Sequence, residues 1–236
     1  MALLTLPFIL KGDVIFVNQT TGLQQQLTYV NSAGNGIIKV DNTTFVPYNQ
    51  KRNAVMIASN DQYDFGTLWV FDALHVPYGC RWVPPVLLER LPEEVLMLSI
   101  AYGEHTGVEV SESRGLPVSI NAAMRPRSDS TIAGGEIDIF EGINLATRNG
   151  MALHTTPGCT QPQGVTQTGT QASTNCDYSL NGNSGCAVQD SNTNSYGAAF
   201  AQAGGGVWVT EFAETGINIW FFSVRTPPLI TPYSRN

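Results

Sequence analysis

The densest chemistry in the chain lies between residues 134 and 144, Gly-Gly-Glu-Ile-Asp-Ile-Phe-Glu-Gly-Ile-Asn. Three carboxyls, Glu136, Asp138 and Glu141, fall within six residues of a chain in which only 13% of residues are charged. The run Glu136-Ile137-Asp138-Ile139 alternates polar and apolar with the period of two of a half-buried strand, two acids on one face and two isoleucines on the other. A regular strand would next send Phe140 to the polar face. One extra residue, a β-bulge, returns Glu141 to the face of Glu136 and Asp138. Carboxylates held that close raise one another's pKa, so one group stays protonated while a neighbour is ionised. That division suits glycosidic bond cleavage, in which one carboxylate attacks the sugar and a protonated one supplies the leaving group's proton. The pattern alone leaves the two glutamates interchangeable.

Flanking phrases add a resemblance. Residues 136–141 resemble the active-site strand of glycoside hydrolase family 16, and the Gly-Gly before and Gly-Ile-Asn after are similar to its fungal β-1,3(4)-glucanase, laminarinase-like branch. Met-Ala-Leu-His-Thr-Thr-Pro-Gly-Cys at 151–159 resembles the next strand of that branch. Ser195-Tyr196-Gly197, Gly-Gly-Gly-Val-Trp at 204–208 and Ile-Asn-Ile-Trp-Phe-Phe at 217–222 resemble later segments. The resemblance spans 132–228 well and 14–80 loosely. It implies an all-β chain, an antiparallel β-sandwich of the concanavalin-like jelly-roll kind with a curved substrate cleft, short of the family's terminal strands. It further implies an endo-acting, retaining double displacement on β-1,3 or mixed β-1,3/1,4 glucan. Glu136 is then the nucleophile, Glu141 the acid/base, and Asp138 the group that orients and tunes Glu136.

Candidate substrate-binding residues come from the same likeness. Lys-Arg-Asn-Ala-Val-Met-Ile at 51–57 resembles a strand whose arginine, here Arg52, faces the cleft, and His154 matches a cleft histidine. Trp208, Glu211 and Phe212 lie on a hairpin with one face in the core and the other lining a groove, where aromatic rings stack on sugars. Phe212 stands where the family usually has Trp. Two rival readings share these residues: a non-catalytic carbohydrate-binding sandwich, and a transglycosylase in which a sugar replaces water as acceptor.

Composition agrees with many short strands joined by turns. The 236 residues include 23 Gly and 13 Pro, which favour turns over helices, and this length suits one domain, 1–236. A net charge of −7 argues against nucleic acid or an anionic membrane as partner, since phosphate contacts need clustered Lys and Arg. No apolar run reaches the length of a membrane-spanning helix. A monomer acting on a β-glucan outside the cell is the expectation, although residues 1–10 lack a basic start and a clear cleavage site. The cysteines, Cys80, Cys159, Cys176 and Cys186, allow three pairings. Their spacing, without a CxxC pair, fits a zinc site poorly, and neither a metal nor a cofactor is expected. Asn18-Gln19-Thr20 and Asn42-Thr43-Thr44 are glycosylation triplets.

The elements that must hold the acid strand read as follows. Apolar or alternating runs at 14–17, 36–40, 54–58 and 66–73 predict strands. Trp69 suits the core better than a sugar platform. Residues 151–154 predict the strand beside the acids. Residues 157–195, poor in large aliphatics, predict a long loop pinned by cysteines. The pair 207–212 and 217–222 predicts a hairpin. The interval 81–130 is atypical: it is rich in charge, only Trp82-Val83-Pro84-Pro85 is faintly similar to the family there, and Pro92-Glu93-Glu94 ahead of Val95-Leu96-Met97-Leu98 reads as a helix start.

Overall fold

The computed structural model describes residues 2–3, 14–47, 50–58, 63, 65–78, 86–91, 95–101, 108–110, 135–142 and 145–223. Its centre is an eight-stranded antiparallel sheet. In spatial order the strands are β1 (Ala2–Leu3), β6 (Met56–Ala58), β9 (Val95–Ala101), β8 (Val86–Leu91), β11 (Glu136–Glu141), β12 (Gly150–His154), β14 (Cys186–Gln189) and β13 (Thr170–Gln171). A three-stranded antiparallel sheet follows the order β16 (Gly216–Ser223), β15 (Gly206–Ala213), β7 (Thr67–Ala73). A second one runs β10 (Val108–Val110), β4 (Gly36–Ile38), β3 (Thr28–Val30), and β2 (Val14–Phe16) pairs in parallel with β5 (Arg52–Ala54).

Alternation along the strands decides which face is buried. On β11, Ile137 and Ile139 are buried on the side facing the second layer. There Phe140 meets Trp208 of β15 edge-on, with ring centroids 4.7 Å apart, and lies 6.5 Å from Phe71 of β7. Phe200 and Phe221 complete this aromatic cluster around Trp208, at 5.2 and 4.7 Å. Offset and edge-on contacts of this kind add to the large area that such rings remove from water. The two sheets therefore form the layers of a jelly-roll sandwich, with the core between β11 and β15.

Two short helices fall outside the sequence expectation. Helix α1 (Gln19–Gln24) starts at Asn18, whose side chain accepts the Thr21 N–H at 2.9 Å, a standard cap. Helix α2 (Gly197–Ala203) ends at Gly204, which adopts the left-handed conformation at φ +82°. It packs Phe200 into the core. The helix start expected at 92–98 is overturned over 95–98, and residues 92–94 lie outside the described residues. Val95–Ala101 is strand β9, bonded to β8 on one side and β6 on the other. A short apolar run satisfies either geometry, and partners on both flanks settle it as strand. The expected strands at 14–17, 36–40, 54–58, 66–73 and 151–154 form, and the hairpin pairs Gly206 with Ser223 through to Ala213 with Gly216. Cys80 and Trp82–Pro85 lie outside the described residues; Cys176 and Cys186 form a disulfide.

Candidate active site

Strand β11 sits inside the large sheet, β8 on one side and β12 on the other, so its backbone is bonded along both edges. The ladder is regular from Glu136 to Asp138, then slips: the register with β12 shifts between Asp138 and Glu141, and that with β8 between Asp138 and Phe140. This is the bulge that the Phe140–Glu141 order demanded. Its outcome is chemical. Ile137, Ile139 and Phe140 turn into the core, so alternation across the slip leaves Glu136, Asp138 and Glu141 on the opposite face.

The bulge is held by a side chain. Asn149, wholly buried, donates from Nδ2 to the Ile139 carbonyl at 2.8 Å, and its Oδ1 accepts the Glu141 N–H at 2.9 Å. Its own N–H donates to Ser195 Oγ at 3.0 Å, and its carbonyl accepts the Asp190 N–H at 2.9 Å. On the far side of Glu141, the Tyr196 hydroxyl donates to the Gly142 carbonyl at 2.9 Å, and the Tyr196 ring stacks on Phe140 at 5.0 Å. A Cβ on Gly142 would lie 2.5–2.9 Å from that ring, so only glycine admits the tyrosine.

His154 closes the cluster. It stands opposite Glu136 in the ladder, and its Nε2 lies 3.0 Å from Asp138 Oδ2. Its Nδ1 faces Asn183 Oδ1, also at 3.0 Å. Asn183 is carried by a tight loop in which Asn181, Gly182, Asn183 and Gly185 all have positive φ, next to the Cys176–Cys186 disulfide. A Cβ on Gly185 would strike the Leu153 carbonyl and lie 3.0 Å from His154 Cε1 and Nδ1. The loop thus rests directly on the imidazole.

These surroundings set the protonation. Burial, then the charge of Asp138, push Glu136 up to about 7, while the His154 charge pulls the other way. Burial also raises Asp138, to about 6, against the hydrogen bond from His154. Glu141 is raised by burial, with the His154 charge opposing and the Glu136 charge adding. Burial alone would lower His154. Asp138, through hydrogen bond and charge, then Glu136 and Asn183, overcome that and lift it to about 9. The imidazole is therefore cationic at neutral pH, and Glu136 and Asp138 titrate together, each raised by burial.

Of the other candidates, three are placed elsewhere. Trp208 is fully buried and Phe212 nearly so, the latter packed 4.5 Å from Phe65 and 5.9 Å from Trp69. Both fill the core and present no ring to a sugar. Glu211 alternates onto the outer face of β15, where Asn218 Nδ2 donates to it at 2.8 Å. The core layer separates that face from the outer face of β11, so Glu211 lies across the sandwich from the acids. Alternation marks two faces of a hairpin without saying which is inside. Arg52 Nη1 donates to the carbonyls of Asp41 (3.2 Å) and Thr44 (3.0 Å), bracing the loop at 41–44. Sequence reasoning missed Asn149, Ser195 and Asn183. Asparagine and serine in polar, glycine-rich stretches look like turn residues, and only their placement beside β11 and β12 shows what they touch. Among the described residues no group of three or more His, Cys, Asp or Glu is arranged to hold a metal ion.

Fold and cluster define a class first: a jelly-roll sandwich bearing coupled carboxyls on the outer face of one sheet. Within it, the chain belongs to glycoside hydrolase family 16, since a family model described as an XgeA-like catalytic GH16 domain matches residues 9–86 and 122–231. A probable glycosidase of Schizosaccharomyces pombe is 30% identical over 214 residues, 86% of this chain and 42% of that protein. A probable endo-1,3(4)-beta-glucanase of Aspergillus fumigatus is 31% identical over 213 residues, 90% of this chain and 26% of its own length. The solved GH16 laminarinase 16A of Phanerochaete chrysosporium superposes with a TM-score of 0.73 at 30% identity, covering 95% of this chain and 63% of that one. An elongating GH family 16 beta-1,3-glucosyltransferase gives 0.71 at 26% identity, with 96% and 63% covered. The chain thus spans less than two thirds of these relatives.

Proposed function

We propose that the chain, as one domain, cleaves β-1,3 or mixed β-1,3/1,4 glucan chains internally, with retention at the anomeric carbon. The observation that carries this reading is the bulged strand: three coupled carboxyls and a cationic histidine on one outward face, in a family 16 sandwich whose relatives include named endo-1,3(4)-beta-glucanases. Glu136 attacks the anomeric carbon as Glu141 protonates the departing oxygen, and a glycosyl ester on Glu136 results. Glu141, now ionised, takes a proton from water, which hydrolyses the ester. Retention requires the two carboxyl groups to come within roughly 5–5.5 Å. Attack also requires Glu136 to be ionised. Asp138, whose charge raises the Glu136 pKa, is the neighbouring carboxyl that can take this proton as positive charge grows on the sugar. Arg52 is the remaining candidate for contacts with sugar hydroxyls, since both ring nitrogens of His154 are taken up by Asp138 and Asn183.

A polymeric glucan does not enter cells, so this activity belongs outside the cell, and nothing in the mechanism needs more than one copy of the chain. A transferase reading has one specific support, the likeness to an elongating glucosyltransferase. Product analysis on laminarin separates the readings. New reducing ends indicate hydrolysis, redistributed chain lengths indicate transfer, and binding without products indicates a lectin-like role. Glu136→Gln should abolish either reaction, by about 10³-fold or more, and leave laminarin binding intact. Activity surviving that change would falsify the assignment.

A further inference from the structure

The bulge creates an accounting problem at the most important point of the strand. Where a ladder slips, a backbone donor and acceptor lose their partners, and a buried strand cannot leave them bare. At β11 the two groups at stake are the Ile139 carbonyl and the Glu141 N–H, on either side of the slip. One carboxamide serves both. Asn149 gives Nδ2–H to the first and accepts the second on Oδ1, at 2.8 and 2.9 Å. Its orientation is unambiguous, because one partner can only accept and the other only donate. Asn149 in turn is gripped through its own backbone by Ser195 Oγ and the Asp190 N–H, and Ser195 Oγ donates to the Asn192 carbonyl at 2.7 Å.

We infer that Asn149 is a positioning residue for Glu141: its carboxamide, by bridging the bulge, fixes where the acid/base carboxyl points. The proposal rests on the assignment of Glu141 as acid/base. A backbone hydrogen bond to residue 141 itself is the shortest lever on that side chain's direction. Tyr196, bonded to the Gly142 carbonyl, holds the next residue. Between them the segment has little freedom to swing. The chain uses Asn where no other residue offers donor and acceptor on so short a stem: Asp lacks the donor, Ser the span, and Gln needs an extra methylene in a fully buried site.

The test compares Asn149→Ala and Asn149→Asp with Glu141→Ala on two substrates. Laminarin has a poor leaving group and needs the proton of Glu141. A 2,4-dinitrophenyl β-laminaribioside has a good one and does not, so its first step survives loss of the acid. Sodium azide can then displace the Glu136 carboxylate from the glycosyl ester, the C–O bond breaking as the C–N bond forms, without help from a general base. Both Asn149 variants should lose laminarin kcat by about 10²-fold, the cost of roughly an ångström of misplacement, with KM little changed. They should release dinitrophenolate in a near-normal burst and show turnover accelerated by azide.

Equal loss on both substrates with no azide effect would mean Asn149 only supports the fold, and so would failure of both variants to fold. Unchanged laminarin turnover also overturns the inference. Glu141→Ala separates the two levels. If it shows neither the substrate split nor the azide product, the acid/base assignment falls first. If it shows both and the Asn149 variants show neither, the positioning role alone is wrong.

Discussion

One imidazole sets the charge of three acids. The His154 cation lowers the pKa of Glu136, Asp138 and Glu141, so His154→Asn should move the acid limb of the kcat/KM–pH profile on laminarin to higher pH. A limb that stays put or moves to lower pH contradicts the arrangement. The same residue links to stability. Its pKa is raised from 6.5 to about 9 on folding, so its contribution is complete below pH 6.5 and is lost as pH rises through 9. The thermal midpoint of the native chain should therefore fall between pH 6.5 and 9, and His154→Asn should flatten that fall. At this scale the sequence was most informative about what breaks a pattern. Phe140 in a polar slot announced the bulge before any register was known. Trp208 and Phe212 carried no such signal, because a ring that could stack on a sugar fills a core equally well. Thr210, on their face of the strand, is buried as well.

Strands and loops position these residues, and the loop at 181–185 shows how tightly. It sits on β12 because Gly185 offers no side chain, at φ +58°, where the Leu153 carbonyl and the His154 ring pass. Gly185→Ala should cost about 1–3 kcal/mol, from overpacking and a left-handed backbone that alanine disfavours, read as a drop in urea midpoint. An unchanged midpoint would show that the loop is not seated on the histidine. The long span at 157–195 was visible as a cysteine-pinned stretch, and the Cys176–Cys186 bridge lies within it. Its inner strands, β13 and β14, were not. Two to four residues are too few to show a period of their own, and they become strands because β12 presents an edge to β14 and β14 one to β13. Val95–Ala101 went astray in the opposite direction, since a proline and two acids before an apolar run mimic a helix start.

Across the whole molecule, the face that carries the acids and the packed face are two sides of one sheet. Trp208 lies directly beneath β11 through Phe140. Trp208→Ala should destabilise by about 3–5 kcal/mol, measured by chemical denaturation, and leave the KM for laminarin close to native while the protein stays folded. A raised KM at unchanged stability would return the ring to the substrate groove. Many short strands were legible from composition and alternation, while the sandwich itself followed from the family resemblance. The stacking of its layers was not, for that depends on which strands become neighbours.

Most of β8 and all of β9 lie in 87–121, the interval that the family model passes over, yet β8 runs alongside the acids from Glu89 opposite Glu136 to Val86 opposite Phe140. What β8 lends is amide and carbonyl groups at fixed intervals, and every residue except proline carries those. The break in the family match at 87–121 thus falls on a strand whose backbone is bonded directly to the one that bears the acids.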